Sequence, residues 1–412
     1  MSRIVLTEYV DCRIELTRAD IALLHGQLSK YFEVRPSFDG IAYVVNPAST
    51  VGVIRLPSGR QLELRSKVPL RNLLWMLSSV YDVPHEMLDD TVEISRFDQV
   101  IEIVADAFAR MVEHRIDLGL YRNYIEEEAN LPTVRGRIMI ATDIQQNVVL
   151  RHRTYCRFTA YSWDLPENQV IRHVVHLLSG WGFSHRLTGR LLALDSQLDE
   201  VERVHFRAAD VDRFVYNRQS LDYQPIHRLC QLFLEGASLS EEAGDRSFDG
   251  FLLDMNVLFE RFITRALKDR LGAPFRLDDQ VHIKLDRENR VQMRPDVVVS
   301  RDGTRVLVAD CKYKRLHTGE HRHHDLYQLL AYCTAIELRE GLLIYPRHLA
   351  DLSTQISVRG VDVRLREYSV DLGGSTGEVM MELDQLADRV RFWGSGIVKS
   401  VPATNHMVSL AV

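Results

Sequence analysis

The chain contains 412 residues, of which 46% are hydrophobic and 26% are charged, and its formal net charge is −6. This is the composition of an ordinary globular protein of two or three domains, and the acidic balance argues against a protein that coats nucleic acid without specificity. The sequence has no apolar run long enough to span a bilayer and no signal peptide, so we expect a cytoplasmic protein with no membrane association.

Two sequence patterns are missing, and each excludes a class of site. The five cysteines are scattered and include no C-x-x-C pair, so neither a disulfide framework nor a structural zinc site is indicated. No glycine is followed by lysine, which excludes a Walker A loop. The chain is therefore not expected to be a P-loop nucleotide hydrolase itself.

The first predicted domain, residues 1–165, mixes β-hairpins with helices. A helix is expected to begin after Thr17, which is a favourable N-cap residue. The apolar pattern predicts strands at 3–16, 41–45, 51–56 and 61–64 and several short strands over 121–163. Helical spacing of apolar residues predicts helices at 70–81 and 99–118.

A helical connecting region is predicted over residues 166–242, and a compact α/β unit over residues 243–412. The stretch Gly236–Gly250 is rich in glycine, serine and acids, which makes it the best linker candidate. Helices of the connecting region are predicted at 170–178, 185–201 and 217–234. The last unit is predicted to contain a helix at 251–271, a strand at 281–285, a β-hairpin, a helix at 325–338, and strands at 341–345 and 361–367.

The β-hairpin carries the candidate chemistry. Two apolar runs, Val297–Val299 and Val306–Val308, flank Asp302-Gly303, which is a strong hairpin signal. Asp296 enters the first strand. Asp310 and Lys312 leave the second strand two residues apart, so both side chains lie on one face of the sheet.

Two acids and a lysine at one end of a hairpin form a candidate metal-nuclease centre. Asp296 and Asp310 would bind Mg²⁺ (Mn²⁺ is the alternative), with the backbone carbonyl of Cys311 as a third ligand. The ammonium of Lys312 would orient water or stabilise the negative charge that develops at the phosphate. The other interpretation of this D-x-K pattern is a buried strand that ends in solvated charges.

The register of the hairpin decides between these interpretations. A regular two-residue turn would pair Arg301 with Thr304 and place Asp296 and Asp310 on opposite faces of the sheet. A three-residue turn with Gly303 at positive φ, or an equivalent bulge, would place the two acids opposite each other. The nuclease hypothesis therefore requires one of these two arrangements.

Three further features support a site here. Glu260 lies in the middle of a mostly apolar helical stripe formed by Leu253, Val257, Glu260, Thr264, Leu267 and Leu271. It is therefore either a residue at the boundary of the core or a buried acid with a function. Gln328 and Tyr332 are four residues apart, so they project from one face of the helix that follows the D-x-K strand. Basic residues close to the acids would contact DNA phosphates; they are Lys314, Arg315 and Arg322, with His317, His321, His323 and His324 nearby.

The order of these residues resembles the PD-(D/E)xK nuclease superfamily, in its branch with a Q-x-x-x-Y helix. The carrying motifs are Glu260, Pro295-Asp296, Asp310-Cys311-Lys312 and Gln328–Tyr332. Several segments narrow the resemblance to the McrC family, the nuclease subunits of McrBC modification-dependent (type IV) restriction systems. These segments are Asn256–Phe262, Arg294-Pro295-Asp296, Asp325–Tyr332, Val134–Arg137 and Leu165–Asn168.

This resemblance implies a fold, a partner and a site. It implies a restriction-endonuclease-like core, a mixed sheet flanked by helices, preceded by a domain that docks into a hexameric AAA+ GTPase of the McrB type. That partner would recognise double-stranded DNA with modified cytosine, such as 5-methylcytosine, and the docked chain would stimulate its GTPase. Transferred to this sequence, the catalytic residues are Asp296, Asp310 and Lys312, supported by Gln328, Tyr332 and Glu260, which is also a candidate metal ligand.

Some alternatives stay open at this point. The hairpin 51–64 and the strands of 121–163 are both candidates for docking into the partner ring. A non-catalytic adaptor that regulates a ring NTPase, or a stand-alone DNA repair nuclease, would also fit parts of the sequence.

Overall fold

The computed structural model describes residues 3–26, 28–38, 40–87, 94–149, 152–241, 250–315 and 320–395. The chain forms two compact units. The first contains Met1–Ser66 and Leu77–Leu253, and the second contains Lys67–Met76 and Asp254–Val412. The mixed α/β fold class predicted from the sequence is confirmed.

The first unit contains groups of strands and groups of helices. Its strands are β1 Arg3–Thr7, β2 Cys12–Ile14, β3 Phe32–Pro36, β4 Tyr43–Pro47, β5 Thr50–Arg55, β6 Gln61–Arg65, β7 Asn123–Leu131, β8 Arg137–Ile138, β9 Thr154–Ser162 and β10 Gly250–Asp254. Its helices are α1 Arg18–His25, α2 Leu70–Val80, α3 Phe97–Asp117, α4 Ile140–Gln146, α5 Pro166–Ser179, α6 His185–Gln197, α7 Ala208–Val211 and α8 Gln224–Glu241. The N-terminal part of α2 belongs to the second unit.

The predicted start of α1 is confirmed by its cap. The Thr17 hydroxyl accepts a hydrogen bond from the Asp20 backbone N–H (3.2 Å), and the Asp20 carboxylate accepts one from the Thr17 N–H (3.0 Å). This capping box satisfies two donors that a helix start otherwise leaves unpaired.

The strands of the first unit form three sheets. One has the order β1-β6-β5-β10, the second β2-β4-β3 and the third β7-β9-β8. The predicted hairpin 51–64 corresponds to β5 and β6, where Val51, Leu62 and Leu64 are completely buried. The apolar side chains of this hairpin therefore belong to the core.

The third sheet and α4 form a segment that we call the β7–β9 module, residues 123–162. Several large apolar side chains on it are exposed, among them Tyr124 (70%), Ile140 (69%) and Ile144 (64%). Gly136 has a φ of +67°, and a Cβ there would lie 2.4 Å from the Arg157 carbonyl oxygen. The glycine of the Val134–Arg137 motif is therefore required for β8 to approach β9.

The base of the β7–β9 module is held by a buried asparagine. The Asn168 side-chain N–H donates to the carbonyls of Tyr121 (2.9 Å) and Trp163 (2.6 Å), which precede and follow the module. The Tyr223 hydroxyl donates to the Asn168 side-chain oxygen (2.8 Å) and accepts from the Tyr121 N–H (2.7 Å). We call these residues the Asn168 clamp, and they give the Leu165–Asn168 motif a structural role.

The second unit contains a six-stranded sheet with helices packed on it. Its strands are β11 Phe275–Asp279, β12 Ile283–Lys284, β13 Gln292–Met293, β14 Val297–Arg301, β15 Thr304–Cys311, β16 Glu340–Pro346, β17 Ser353–Ser357 and β18 Arg364–Val370. Its helices, besides the start of α2, are α9 Met255–Arg270, α10 Glu320–Ala335 and α11 Thr376–Gly394. The sheet order is β11-β14-β15-β16-β18-β17, and β12 and β13 pair separately.

Directions within this sheet change at β15. Strand β14 is antiparallel to both of its neighbours, β11 and β15, whereas β15, β16 and β18 are parallel. Strand β15 is buried in the middle of the sheet, and its C-terminal end carries Asp310. The segment Lys67–Met76 also belongs to this unit. Its Asn72 side chain donates hydrogen bonds to the carbonyls of Leu372 (2.8 Å) and Gly374 (2.7 Å).

The structure corrects the predicted helix at 251–271. Residues Gly250–Asp254 form the buried strand β10, and the helix begins only at Met255, after the Asp254 side chain accepts a hydrogen bond from the Asn256 N–H. A short run of buried apolar residues has no periodicity that separates strand from helix. Val257 is also 36% exposed, so the predicted stripe through Leu253 and Val257 is wrong.

Other differences concern elements without a clear sequence signal. The predictions missed α4, β3, β11, β17 and α11, and α10 begins before the predicted Asp325. Residues 242–249 of the linker candidate lie outside the described residues. Among the helices of the described residues, none combines the length and apolar character that crossing a membrane requires.

Candidate active site

The turn of the β14–β15 hairpin contains two residues, not three. Arg301 pairs with Thr304, and both Asp302 (φ +49°) and Gly303 (φ +80°) adopt the left-handed conformation that a tight hairpin turn needs. The three-residue turn is therefore wrong, but the alternative bulge is present. Ser300 pairs with Arg305 whereas Val299 pairs with Leu307, so Val306 is an extra residue in β15.

This bulge brings the two acids together. Beyond it Val297 pairs with Ala309, so the next position in the register sets Asp296 opposite Asp310. A hydrogen bond fixes the arrangement, because the Cys311 N–H donates to the Asp296 carboxylate at 2.7 Å. The predicted meeting of the two acids is therefore confirmed by the register.

Asp310 and Lys312 share one face of β15, as their spacing predicted. The Lys312 ammonium contacts the Asp310 carboxylate. The Asp310 residue is only 2% exposed, and the Lys312 side chain is 23% exposed. The lysine thus lies between a buried acid and the solvent.

The electrostatics of this group are dominated by burial and crowded negative charge. Burial, and then the charges of Asp310 and Glu260, raise the pKa of Asp296 to about 8. Burial also raises the pKa of Asp310, against the opposing effect of Lys312. Burial alone would lower the pKa of Lys312, but the neighbouring carboxylates outweigh it and raise that pKa, which keeps the ammonium charged.

Glu260 approaches from α9 and is held by a residue that the sequence analysis missed. The Gln280 side-chain N–H donates to the Glu260 carboxylate (2.7 Å), and the Gln280 backbone N–H donates to the Asp296 carbonyl (3.0 Å). Gln280 has a φ of +49°, a strained conformation for a non-glycine residue and one found preferentially at functional sites. Gln280 therefore links Glu260 to the start of β14.

Gln328 and Tyr332 meet on one face of α10, as predicted. The Gln328 side-chain N–H donates to the Tyr332 hydroxyl at 2.7 Å, and that hydroxyl approaches the Arg294 carbonyl at 3.5 Å. Burial, and then the charge of Asp310, raise the pKa of Tyr332 to about 12. Tyr332 is therefore a neutral hydroxyl close to the acids.

The structure gives Lys314 a different environment from Arg315. The Lys314 ammonium lies 2.6 Å from a carboxylate oxygen of Asp325, which is 2% exposed. The Tyr345 hydroxyl donates to the same carboxylate (3.1 Å). This ion pair ties the end of the D-x-K segment to α10.

The other residues predicted to contact DNA are either exposed or lie outside the described residues. Arg315, His323 and His324 are exposed. The Arg322 and His321 side chains and residue His317 lie outside the described residues. The role of these residues in binding DNA stays a prediction.

The donors around Asp296 suit a hard divalent cation. Carboxylate and carbonyl oxygens are the ligands that Mg²⁺ prefers. Burial and the charges of Asp310 and Glu260 raise the pKa of Asp296, and a bound cation would favour its ionised form. No three Asp, Glu, His or Cys side chains in the described part of the chain form a ready-made metal cluster. Asp296, Asp310 and a third oxygen from Cys311 or Glu260 are the residues that would hold the ion.

The raised pKa of Asp296 predicts a pH-dependent stability without divalent cations. The folded state binds this proton up to about pH 8, whereas the unfolded state loses it near the ordinary value of 3.8, so stability falls as the pH rises toward 8. The side chain of Asp296→Asn does not ionise, so the variant does not lose stability in this way. We expect its free energy of unfolding, relative to the wild type, to improve by about 2 kcal/mol from pH 6 to pH 9.

Urea unfolding at both pH values in the presence of a chelator measures this difference. Asp302→Asn is the control, because that side chain is 75% exposed in the turn of the same hairpin. A relative stability of Asp296→Asn that does not change with pH would contradict the assignment of the buried proton.

Comparison with known proteins identifies the family of the chain. The profile of the McrBC family, described as "McrBC 5-methylcytosine restriction system component", matches residues 45–346. The "Type IV methyl-directed restriction enzyme EcoKMcrBC" of Escherichia coli (strain K12) is 20% identical over 344 residues, which cover 78% of this chain and 97% of that protein.

One solved structure shares the fold of this chain, and the family match covers most of the sequence. A chain of the refined half-complex from the tetradecameric assembly of Thermococcus gammatolerans McrB AAA+ hexamers with bound McrC has a TM-score of 0.57 and 17% identity, covering 94% of this chain and 100% of its own. A chain of the Thermococcus gammatolerans McrBC complex has a TM-score of 0.44 and 19% identity, covering 66% and 88%. Since the family profile matches more than half of the sequence, the chain belongs to the McrBC family of 5-methylcytosine restriction system components.

Proposed function

We propose that this chain is the DNA-cutting subunit of its restriction system, a metal-dependent endonuclease of the PD-(D/E)xK type that works in the cytoplasm. The observation that carries the proposal is the position of Asp296 opposite Asp310, with the Lys312 ammonium on the Asp310 carboxylate. A scaffold without catalytic function has no need for a half-buried Asp296 whose pKa is raised by burial and by the charges of the neighbouring Asp310 and Glu260.

Each residue of the site would have a separate role in phosphodiester hydrolysis. A bound Mg²⁺ or Mn²⁺ ion would neutralise charge at the phosphate and lower the pKa of a water molecule. Asp296 and Asp310 would hold that ion, and Glu260 would add a further carboxylate oxygen. Lys312 keeps its charge because its pKa is raised, so its ammonium would stabilise the negative charge that develops during the reaction.

Gln328 and Tyr332 of α10 complete the site, and both are neutral near neutral pH. The Gln328–Tyr332 hydrogen bond orients a hydroxyl whose pKa is about 12. That hydroxyl would donate a hydrogen bond to a phosphate oxygen or to the attacking water. The Lys314–Asp325 ion pair would hold α10 in the position that this contact requires.

We further propose that the chain acts with an AAA+ GTPase of the McrB type and stimulates its GTP hydrolysis. The support is the family, together with the fold shared with a chain from an assembly of McrB AAA+ hexamers with bound McrC. The exposed apolar residues of the β7–β9 module favour it as the docking element. The buried hairpin β5–β6 offers no comparable surface.

The test is a cleavage assay with the full chain, its McrB-like partner, GTP and linear duplex DNA. We expect cleavage of a duplex that carries 5-methylcytosine when Mg²⁺ or Mn²⁺ is present, and none when the metal is chelated or the duplex is unmodified. Cleavage that persists in a chelator would contradict the metal. Stimulated GTP hydrolysis with no cleavage under any condition would favour the adaptor function.

A further inference from the structure

The segment between β11 and β14 forms a basic hairpin beside the acids. This segment, residues 281–295, contains β12 and β13, and we call it the basic arm. It holds four Lys or Arg residues and two acids. The basic residues are Lys284, Arg287, Arg290 and Arg294, and the acidic residues are Asp286 and Glu288.

Both ends of the basic arm are attached to the candidate site. At its start, Gln280 donates from its backbone to the Asp296 carbonyl and from its side chain to Glu260. At its end, the Arg294 carbonyl faces the Tyr332 hydroxyl at 3.5 Å. In addition, Ile283 is buried in the cluster that contains Tyr332. The base of the arm is therefore fixed relative to Asp296 and Asp310.

The tip of the arm uses its two acids internally. The Asp286 carboxylate accepts a hydrogen bond from the Val291 N–H (2.8 Å) and pairs with Arg290 (3.1 Å). Arg290 also pairs with Glu288 at 3.2 Å. The acids thus shape the turn around Asn289, which has a φ of +59°, and they leave the other cations of the arm unneutralised.

Arg287 and Arg294 are the cations that the arm presents to solvent. Both residues are exposed, and within the described part of the chain neither takes part in an ion pair. Arg287 is nine positions from Asp296, a distance of at most about 30 Å at about 3.3 Å per residue. The backbone positions of both arginines therefore lie within about one turn of duplex DNA, roughly 34 Å, of Asp296.

From this arrangement we propose that the basic arm binds the phosphate backbone of duplex DNA beside the bond to be cut, through Arg287 and Arg294. The inference rests on the proposed nuclease function and adds the element that holds the substrate. Guanidinium groups suit phosphates because they donate two hydrogen bonds in parallel. Backbone contacts of this kind position the duplex and carry no sequence information.

The acidic composition of the whole chain does not oppose this contact. Phosphate binding depends on the local charge, and the arm carries a net positive charge in a chain of formal charge −6. Lys314, predicted as a DNA contact, pairs with Asp325, whereas Arg287 and Arg294 form no ion pair within the described residues. The arm therefore adds unpaired cations to the basic residues next to the acids.

The test measures equilibrium binding of the full chain to an unmodified duplex in a chelator, at several salt concentrations. The logarithm of the binding constant falls linearly with the logarithm of the salt concentration, and each lost phosphate contact lowers the slope by about 1. We expect Arg287→Ala and Arg294→Ala each to lower the slope by about 1, and the double variant by about 2. The weakening should be the same for duplexes of different sequence.

Arg359→Ala is the matched control, because Arg359 is an exposed arginine in the β17–β18 turn of the same unit. It should leave the slope unchanged. An unchanged slope in both arm variants, an equal change in Arg359→Ala, or no duplex binding by the wild type would each overturn the proposal. Loss of partner binding in the arm variants with an unchanged DNA slope would assign the arm to a protein surface instead, and would overturn it too.

Asp310→Asn separates a failure of this inference from a failure of the nuclease function. If the arm variants bind DNA like the wild type while Asp310→Asn alone stops cleavage, the nuclease proposal stands and only the arm is excluded. If Asp310→Asn cuts normally, the nuclease site itself is wrong, whatever the arm does.

Discussion

Replacing Asp310 by asparagine should abolish DNA cleavage while leaving stimulation of the partner GTPase intact. Asparagine keeps the size of the side chain but removes the charge that would bind a divalent cation. It also removes the carboxylate that the Lys312 ammonium contacts. Because both effects act at the reacting phosphate, we expect the cleavage rate to fall at least about a hundredfold.

The measurement is the single-turnover cleavage rate of modified duplex with partner and GTP, with GTP hydrolysis followed in the same mixture. Asp351→Asn is the control, since that side chain is 82% exposed and pairs only loosely with Arg347 at 3.8 Å. The thermal midpoint of each variant checks that the protein is folded. Cleavage by Asp310→Asn near the wild-type rate would remove this carboxylate from the catalytic machinery.

Asn168→Ala should have the opposite effect. It should destabilise the first unit and leave the candidate active site of the second unit intact. The substitution leaves the carbonyls of Tyr121 and Trp163 and the hydroxyl of Tyr223 without their buried partner. Each such group costs about 1–3 kcal/mol, and partial relaxation reduces the sum. We expect a loss of about 3 kcal/mol in the free energy of unfolding, with a loss of GTPase stimulation.

Hydrogen exchange over residues 123–162 reports directly on the β7–β9 module and needs no partner. Its amides should exchange faster in Asn168→Ala, whereas amides of α9 and β15 should not change. Asn46→Ala is the control, because Asn46 makes an exposed hydrogen bond to Asp11 (2.8 Å) and its loss should cost little. Equal exchange in Asn168→Ala and the wild type would mean that the clamp does not hold the module.

Local sequence patterns were sufficient to predict most of the second unit. Two apolar runs rich in β-branched residues, on either side of Asp302-Gly303, predicted β14 and β15. The spacing of Gln328 and Tyr332 predicted that they meet on α10. Each of these patterns acts over a few residues, so no tertiary information was needed. The mixed α/β fold class followed from the same patterns.

What the sequence did not reveal depends on contacts between distant segments. Gln280 has no local signature, because its left-handed backbone and its two hydrogen bonds are defined by Glu260 and Asp296. The pairing of Lys314 with Asp325 likewise required knowing where α10 lies. The strand β10 was taken for a helix because three successive apolar residues suit either structure when both faces are buried.

The bulge at Val306 determines whether facing residues of this hairpin are separated by an even or an odd number of residues. With a two-residue turn, facing residues of a regular hairpin are always separated by an even number of residues, yet Asp296 and Asp310 face each other across an odd number. A single-residue insertion or deletion between them would therefore separate the two acids unless the bulge were lost or doubled. Changes of two residues would keep them together, so related hairpins that retain the acid pair should differ in length by even steps.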